Sequence, residues 1–191
     1  MTTPPRSTRR TALVASALVL AALAFAAVGH AQAPAPSAAA LEGVDAYVAM
    51  DLANAWKGHD ITSFVTPQAV HFGFADGSEV VIPLPDDVML VSVAPYLVHT
   101  HPCLTHFMSG CQGELVDVPL HVRAVLSDGT VIIDEQRSTM ANGFMDLWLP
   151  RGQAIELTFE RDGYRTVGLV TTHADSPTCI TTLQLAQADG G

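Results

Sequence analysis

The sequence predicts a mainly β protein, α+β overall, in which a small N-terminal helix-plus-hairpin part precedes an antiparallel β-sandwich. Three observations carry this expectation. From about residue 69 onward, apolar residues recur with period two in short runs. Asp-Gly, Asn-Gly and Pro-Arg-Gly turn signals separate those runs at near-regular spacing. The one stretch with three-and-four periodicity lies ahead of them, between Leu41 and Trp56.

The elements follow in chain order. Arg6, Arg9 and Arg10 precede an apolar run from Thr11 to Val28, and Gly29-His30-Ala31-Gln32 follows it. This is the layout of a secretory signal, residues 1–31, cleaved after Ala31. The competing reading is a membrane anchor, but the run sits at the lower edge of a spanning length and is alanine-rich. No cysteine follows the run, which removes a bacterial lipoprotein reading. Residues 32–40 read as a low-complexity tether, expected to be disordered. Leu41, Val44, Val48, Leu52, Ala55 and Trp56 then predict a helix that stops at Gly58. Val70–Phe74 and Glu79–Leu84 flank Asp76-Gly77 and predict a hairpin. Residues 41–88 thus form a helix-and-hairpin domain, with Val48, Leu52 and Trp56 free to pack on the sandwich or on a second subunit.

Residues 89–191 carry the sandwich. Its expected strands are Val88–Val98, Val116–Leu126, Val131–Ile133, Phe144–Leu149, Ala154–Phe159, Thr166–Val170 and Ile180–Leu185. The succession of Asp128-Gly129, Asn142-Gly143, Pro150-Arg151-Gly152 and Asp162-Gly163 resembles transthyretin-like and carboxypeptidase-regulatory-like domains, within the broad transthyretin/Ig-like class. That likeness concerns fold and not function.

Charge narrows the partners. Losing the signal removes three arginines and no acid, leaving 6 basic and 19 acidic residues and a formal charge of −13. Such a surface opposes binding to nucleic acid or to anionic membranes. No Gly-X-Ser-X-Gly, His-Glu-X-X-His or phosphate loop is present, so the reading is not of an enzyme.

The chemistry concentrates in His99-Thr100-His101-Pro102-Cys103-Leu104-Thr105-His106-Phe107-Met108-Ser109-Gly110-Cys111. This tract holds two of the three cysteines and three of the eight histidines, while Cys179 lies far downstream. Thiols beside imidazoles suit Cu(I), Zn(II) or another thiophilic metal. Three cysteines in an exported protein is an odd number. Either Cys103 and Cys111 pair as a disulfide and leave Cys179 over, or all three thiols serve one metal and must stay reduced.

Local geometry favours a metal site. With Thr100 or His101 as cap and Pro102 at the first helical position, Cys103 and His106 share one helix face. A left-handed Gly110 would fold Cys111 back onto that face. Cys179, at the mouth of the last sandwich strand, would complete three thiolates and one imidazole, a closed tetrahedral set with no place for a catalytic water. His101 is the second candidate for the histidine. His99 reads as a surface residue, Met108 as packing with a lesser claim as a thioether ligand, and His59, His71, His121 and His173 as structural. Two competing functions remain: a thiol–disulfide exchanger using Cys103 and Cys111, and an exported interaction domain with a structural disulfide.

At these residues the chain resembles the CueP family of periplasmic copper-binding proteins. The likeness rests on Thr100-His101-Pro102-Cys103-Leu104-Thr105-His106, Cys111-Gln112-Gly113-Glu114-Leu115, Asn142 through Arg151, and Asp175-Ser176-Pro177-Thr178-Cys179-Ile180-Thr181-Thr182. It implies an exported, two-part homodimer that sequesters copper through Cys103, Cys111, Cys179 and a histidine, here His106. It further implies that zinc can occupy the same site, and that copper passes to a periplasmic copper,zinc superoxide dismutase. A thiol reductase would restore the cysteines after oxidation.

Overall fold

Gly43 and Asp45 set the first boundary. In the computed structural model, which describes residues 1–2 and 33–188, Gly43 has φ +70, a left-handed conformation that interrupts a helix arriving from Leu41. Asp45 then caps helix α1 (Ala46–Ala55), its carboxylate accepting the Val48 N–H at 2.9 Å. Leu41 instead closes a 3-10 turn, Ala38–Leu41, capped by Ser37. Part of the expected tether is therefore ordered, and Pro34 accepts a hydrogen bond from the Trp56 indole at 2.7 Å. Apart from Met1 and Thr2, the expected signal lies outside the described residues.

The buried face of α1 is rotated from the expected one. Ala46, Ala49, Met50, Ala53 and the following Trp56 are buried, whereas Val48 is exposed. The small alanines let the helix backbone approach the sheet beneath it closely. That sheet is three-stranded: β1 (Ile61–Val65), β2 (Ala69–Phe74) and β3 (Glu79–Pro83), all antiparallel. The β2–β3 hairpin turns where Asp76-Gly77 predicts. Strand β1 was not anticipated, and its partly polar Ile-Thr-Ser-Phe-Val run explains why.

The sandwich has two sheets. One orders β10 (Cys179–Ile180), β4 (Val88–Val93) and β7 (Met145–Pro150). The other orders β11 (Ala186–Gln187), β9 (Tyr164–Thr171), β8 (Ala154–Arg161), β5 (Pro119–Leu126) and β6 (Val131–Ser138). Met89, Val91 and Val93 of β4 and Met145, Leu147 and Leu149 of β7 interdigitate with Leu120, Val122, Ile155, Leu157 and Phe159 to form the main core. The segment expected as one strand, 180–185, is instead broken. β10 pairs parallel with β4 for two residues, and the chain then follows β4's extension irregularly, through Tyr96 N–H to Leu183 C=O and Leu185 N–H to Tyr96 C=O. Leu183 and Leu185 still reach the core.

The β10-β4-β7 sheet is covered on both faces, and this places the site. On its second face Leu90 and Trp148 join α1, β1, β2 and β3 in a separate core. Beside them, on the same face, lie Ser92 and Asp146. No helix among the described residues is long and apolar enough to cross a membrane.

Candidate metal centre

The tract between β4 and β5 is not helical. His101–Phe107 carries no helix, Gly110 does not adopt the left-handed conformation, and no Schellman closure forms. Its backbone groups are satisfied by strands instead. His106 forms an antiparallel bridge with Val65 of β1, whose N–H donates to His106 C=O at 2.9 Å. The Ser63 N–H donates to Ser109 Oγ at 3.1 Å. From the other side, Leu104 C=O accepts from Thr178 N–H at 2.9 Å and Cys179 N–H at 3.2 Å. A chain segment whose hydrogen bonds are supplied by two flanking strands gains nothing from coiling. One element of the expected turn survives in another form: Cys111 N–H reaches back to Phe107 C=O at 2.7 Å, a single unpropagated helical turn that reverses the chain.

Two threonines beside Cys179 stitch the tract in place. Buried Thr178 donates from Oγ1 to Val65 C=O at 2.7 Å and accepts the His106 N–H at 3.1 Å. Thr181 Oγ1 donates to His101 C=O at 2.7 Å, and Thr100 Oγ1 donates to Thr181 C=O at 2.6 Å. His106 and Cys179 thus meet although they are 73 residues apart in sequence. Sequence reading assigned neither threonine a role; their signal was the pattern Thr178-Cys179-Ile180-Thr181, in which hydroxyls flank the candidate ligand Cys179.

All three cysteines and two histidines converge. The Cys103 and Cys111 sulfurs lie 3.6 Å apart, and Cys179 Sγ lies 3.9 Å from His106 Nδ1. The ligand atoms form two overlapping sets, His101–Cys103–Cys111 and His106–Cys111–Cys179, each with all atoms within 4.8 Å. The first set is half-exposed throughout. In the second, His106 (0%) and Cys179 (1%) are shut from solvent and Cys111 is half-exposed. The floor is apolar, built from Ala94, Phe144 and Met140, with the His106 ring centroid 4.3 Å from that of Phe144. His106 Nε2 is buried with no hydrogen-bond partner, a costly arrangement in an apolar setting. A centre of three thiols and two imidazoles, with His106 Nδ1 turned to the Cys179 sulfur, fits a thiophilic metal.

The other candidates lie apart. Met108 is fully buried in the helix-side core and is packing. His99 is exposed, and its N–H, with those of Leu97 and Val98, binds the Glu114 carboxylate. His71 stacks on Phe64, and His121 pairs with Asp134.

Helix α1 reaches the centre through polar side chains. Asn54 donates to Asp146 at 2.9 Å and accepts from Asn142 at 3.0 Å, while Ser92 donates to the other Asp146 oxygen. Asn142 Oδ1 in turn accepts the Phe144 N–H at 2.9 Å. Lys57, the only lysine in the chain, donates to Cys111 C=O and to Gln112 Oε1. Burial lowers its pKa, against the opposing pull of a Cys111 thiolate.

The thiols are not equivalent. Donation from the Cys179 thiol, opposed by burial but aided by His106, the Phe107 N–H and His101, holds Cys111 down at about 3. Cys179 is pushed above the usual thiol range by that same hydrogen bond and by burial. Burial also raises Cys103, and the neighbouring Cys111 thiolate adds to the rise. Cys111 therefore stays a thiolate while its neighbours hold their protons. At pH 5, where ordinary thiols are almost wholly protonated, iodoacetamide should modify Cys111 first. Its intrinsic nucleophilicity falls with its pKa, but only with a slope of about 0.4–0.5, so the gain in thiolate fraction prevails. Mass spectrometry of the reduced protein tests this; equal labelling of all three cysteines contradicts it.

Comparison with known proteins places this geometry. The sequence family described as periplasmic copper-binding protein CueP matches residues 45–184. Among solved structures, the crystal structure of S.CueP is 30% identical and superposes with a TM-score of 0.71, covering 76% of this chain and 91% of that one. No curated protein matches significantly.

Proposed function

From the premise that the chain belongs to the CueP family of periplasmic copper-binding proteins, we propose that it sequesters copper as Cu(I) through Cys103, Cys111, Cys179 and His106. The observation that carries the reading is the convergence of two thiols from one loop with a buried His–Cys pair from two distant segments, over an apolar floor. Cu(I) prefers thiolate and imidazole to hard oxygen donors, and no carboxylate shares either ligand set. Zinc suits the same four donors and is the expected substitute. The Cys111 thiolate offers a ready first bond, and binding displaces protons from Cys103 and Cys179.

The protein works after export, its signal in residues 1–31 removed, as a homodimer that holds copper and passes it to a periplasmic copper,zinc superoxide dismutase. The 3.6 Å approach of Cys103 to Cys111 also supports a redox side to the site. Closing that disulfide from the Cys111 thiolate and the Cys103 thiol releases two electrons and one proton, enough to reduce two Cu(II) to Cu(I), and a thiol reductase returns the pair to its reduced form.

Anaerobic titration of the reduced mature protein with Cu(I), against a competing chelator, tests the reading. It should saturate at one Cu(I) per chain. A protein that takes up no Cu(I), or never saturates, overturns it.

A further inference from the structure

Five ligand groups meet at the centre, one more than a tetrahedral ion can use, and they are graded in exposure. His101, Cys103 and Cys111 are all half-exposed, while His106 and Cys179 are buried behind them. Both sets contain Cys111, and its sulfur lies within 3.6 Å of Cys103. An ion cannot pass from solvent to His106 and Cys179 as a bare cation, since shedding every ligand at once in an apolar setting is prohibitive. It can arrive on groups that still face water.

Resting on the copper-binding reading above, we propose that copper meets the protein at an outer position made by His101, Cys103 and Cys111, and then moves inward by ligand exchange on the Cys103–Cys111 edge. In the exchange the bond to the His101 imidazole breaks and a bond to Cys179 Sγ forms. The Cys179 thiol proton leaves to water, His106 completes the set, and the ion remains Cu(I) throughout. Cys111 is never released, so the ion is always held by at least one thiolate. His101 is thus a transfer ligand, absent from the resting complex.

The backbone suits this division. The His101 carbonyl is anchored by the Thr181 hydroxyl, and its ring stands edge-on to Phe144 at 6.4 Å. The imidazole can therefore leave the ion without the loop moving. The pair that holds the ion at rest is fixed more firmly: Thr178 binds His106 N–H, and β10 pairs Cys179 with Ser92.

A group that opens a path without belonging to either end state changes rates and leaves the equilibrium alone. Stopped-flow mixing of reduced protein with a soluble Cu(I)–bicinchoninate complex measures loading, and excess bicinchoninate measures extraction. His101→Asn should slow both by the same factor, on the order of tenfold, the low end of what loss of a supporting group costs a metal site. Its affinity should change by less than about threefold, a shift too small for a lost ligand. Cys179→Ser should show the reverse, fast loading with weak retention. Loading and extraction by His101→Asn at wild-type rates would overturn the outer position. Loss of affinity in His101→Asn comparable to that in Cys179→Ser would also overturn it, making His101 a resting ligand. Wild-type protein that takes no Cu(I) from the complex would instead reject the copper-binding reading itself, so the two failures are distinct.

Discussion

Replacing Cys179 by serine should weaken Cu(I) binding by two orders of magnitude or more while leaving the fold intact. The binding free energy of a closed site with soft ligands is about 10–16 kcal/mol for structural zinc, roughly 2.5–4 kcal/mol for each of four ligands, or a factor of about 70 to 900. A hydroxyl is a hard, neutral donor and recovers little of this for Cu(I). Structurally the exchange is mild. Cys179 is held by its backbone, through Leu104 C=O and the parallel register with Ser92, and serine keeps both. The new hydroxyl lies where the thiol met His106 Nδ1 and Cys111, so it is not left unpaired. Competition with a Cu(I) chelator gives the affinity, and circular dichroism checks the fold. Cys103→Ser should cost less, because the half-exposed His101 stands beside that position and can substitute for the lost sulfur. Unchanged affinity in Cys179→Ser would end the three-thiol site and favour a Cys103–Cys111 disulfide with an idle third thiol.

The contrast between these two cysteines also shows what the sequence disclosed. The density of Cys and His between His99 and Cys111 is a local property, and so the tract of candidate ligands was legible. The sandwich strands were legible for a similar reason: Leu120, Val122 and Ala124, or Met145, Leu147 and Leu149, alternate with polar neighbours and enter the core in that alternation. The conformation of the tract was not legible. Cys103 and His106 at a spacing of three fit a helix face, yet the backbone between them is claimed by β1 and by Thr178–Cys179. Those claims come from far along the chain, and local propensity is a weak prior against them. The face of α1 was misjudged on the same ground. Val48 has the hydrophobicity of a core residue, but the sheet accepts the small Ala49 and Ala53 and leaves Val48 outside. Asn142 and Asp146 fall in the run that carries the family resemblance and Asn54 in no motif, but only the fold shows that the three tie the helix to the floor of the centre.

That floor supplies the second large effect: Gly143→Ala should lower the melting temperature by roughly 4–20 °C and impair copper binding with it. Two costs add. Gly143 has φ +76, where any side chain costs about 1–2 kcal/mol. Its added Cβ would also lie 2.6 Å from the carbonyl carbon and oxygen of Gly113. Neither backbone can yield easily, because Gly113 N–H donates to Asn142 C=O at 2.7 Å and the two glycines pack directly against each other. Overpacking of this kind adds about 1–3 kcal/mol. At 2–4 °C per kcal/mol for a domain of this size, the sum gives the stated range. The damage is aimed at the centre: Gly113 follows Cys111 by two residues, and Phe144, next to Gly143, lies under the His106 ring. Gly129 separates the causes. It has a similar φ of +88, but an added Cβ there meets nothing within 4 Å. Gly129→Ala should therefore incur only the backbone cost, about 1–2 kcal/mol, and keep wild-type Cu(I) affinity. Melting curves of the two metal-free variants, with chelator competition on each, decide the matter. If both variants melt together, or if Gly143→Ala binds Cu(I) as tightly as the parent, then the Gly113–Gly143 junction does not hold Cys111 and Phe144 in place.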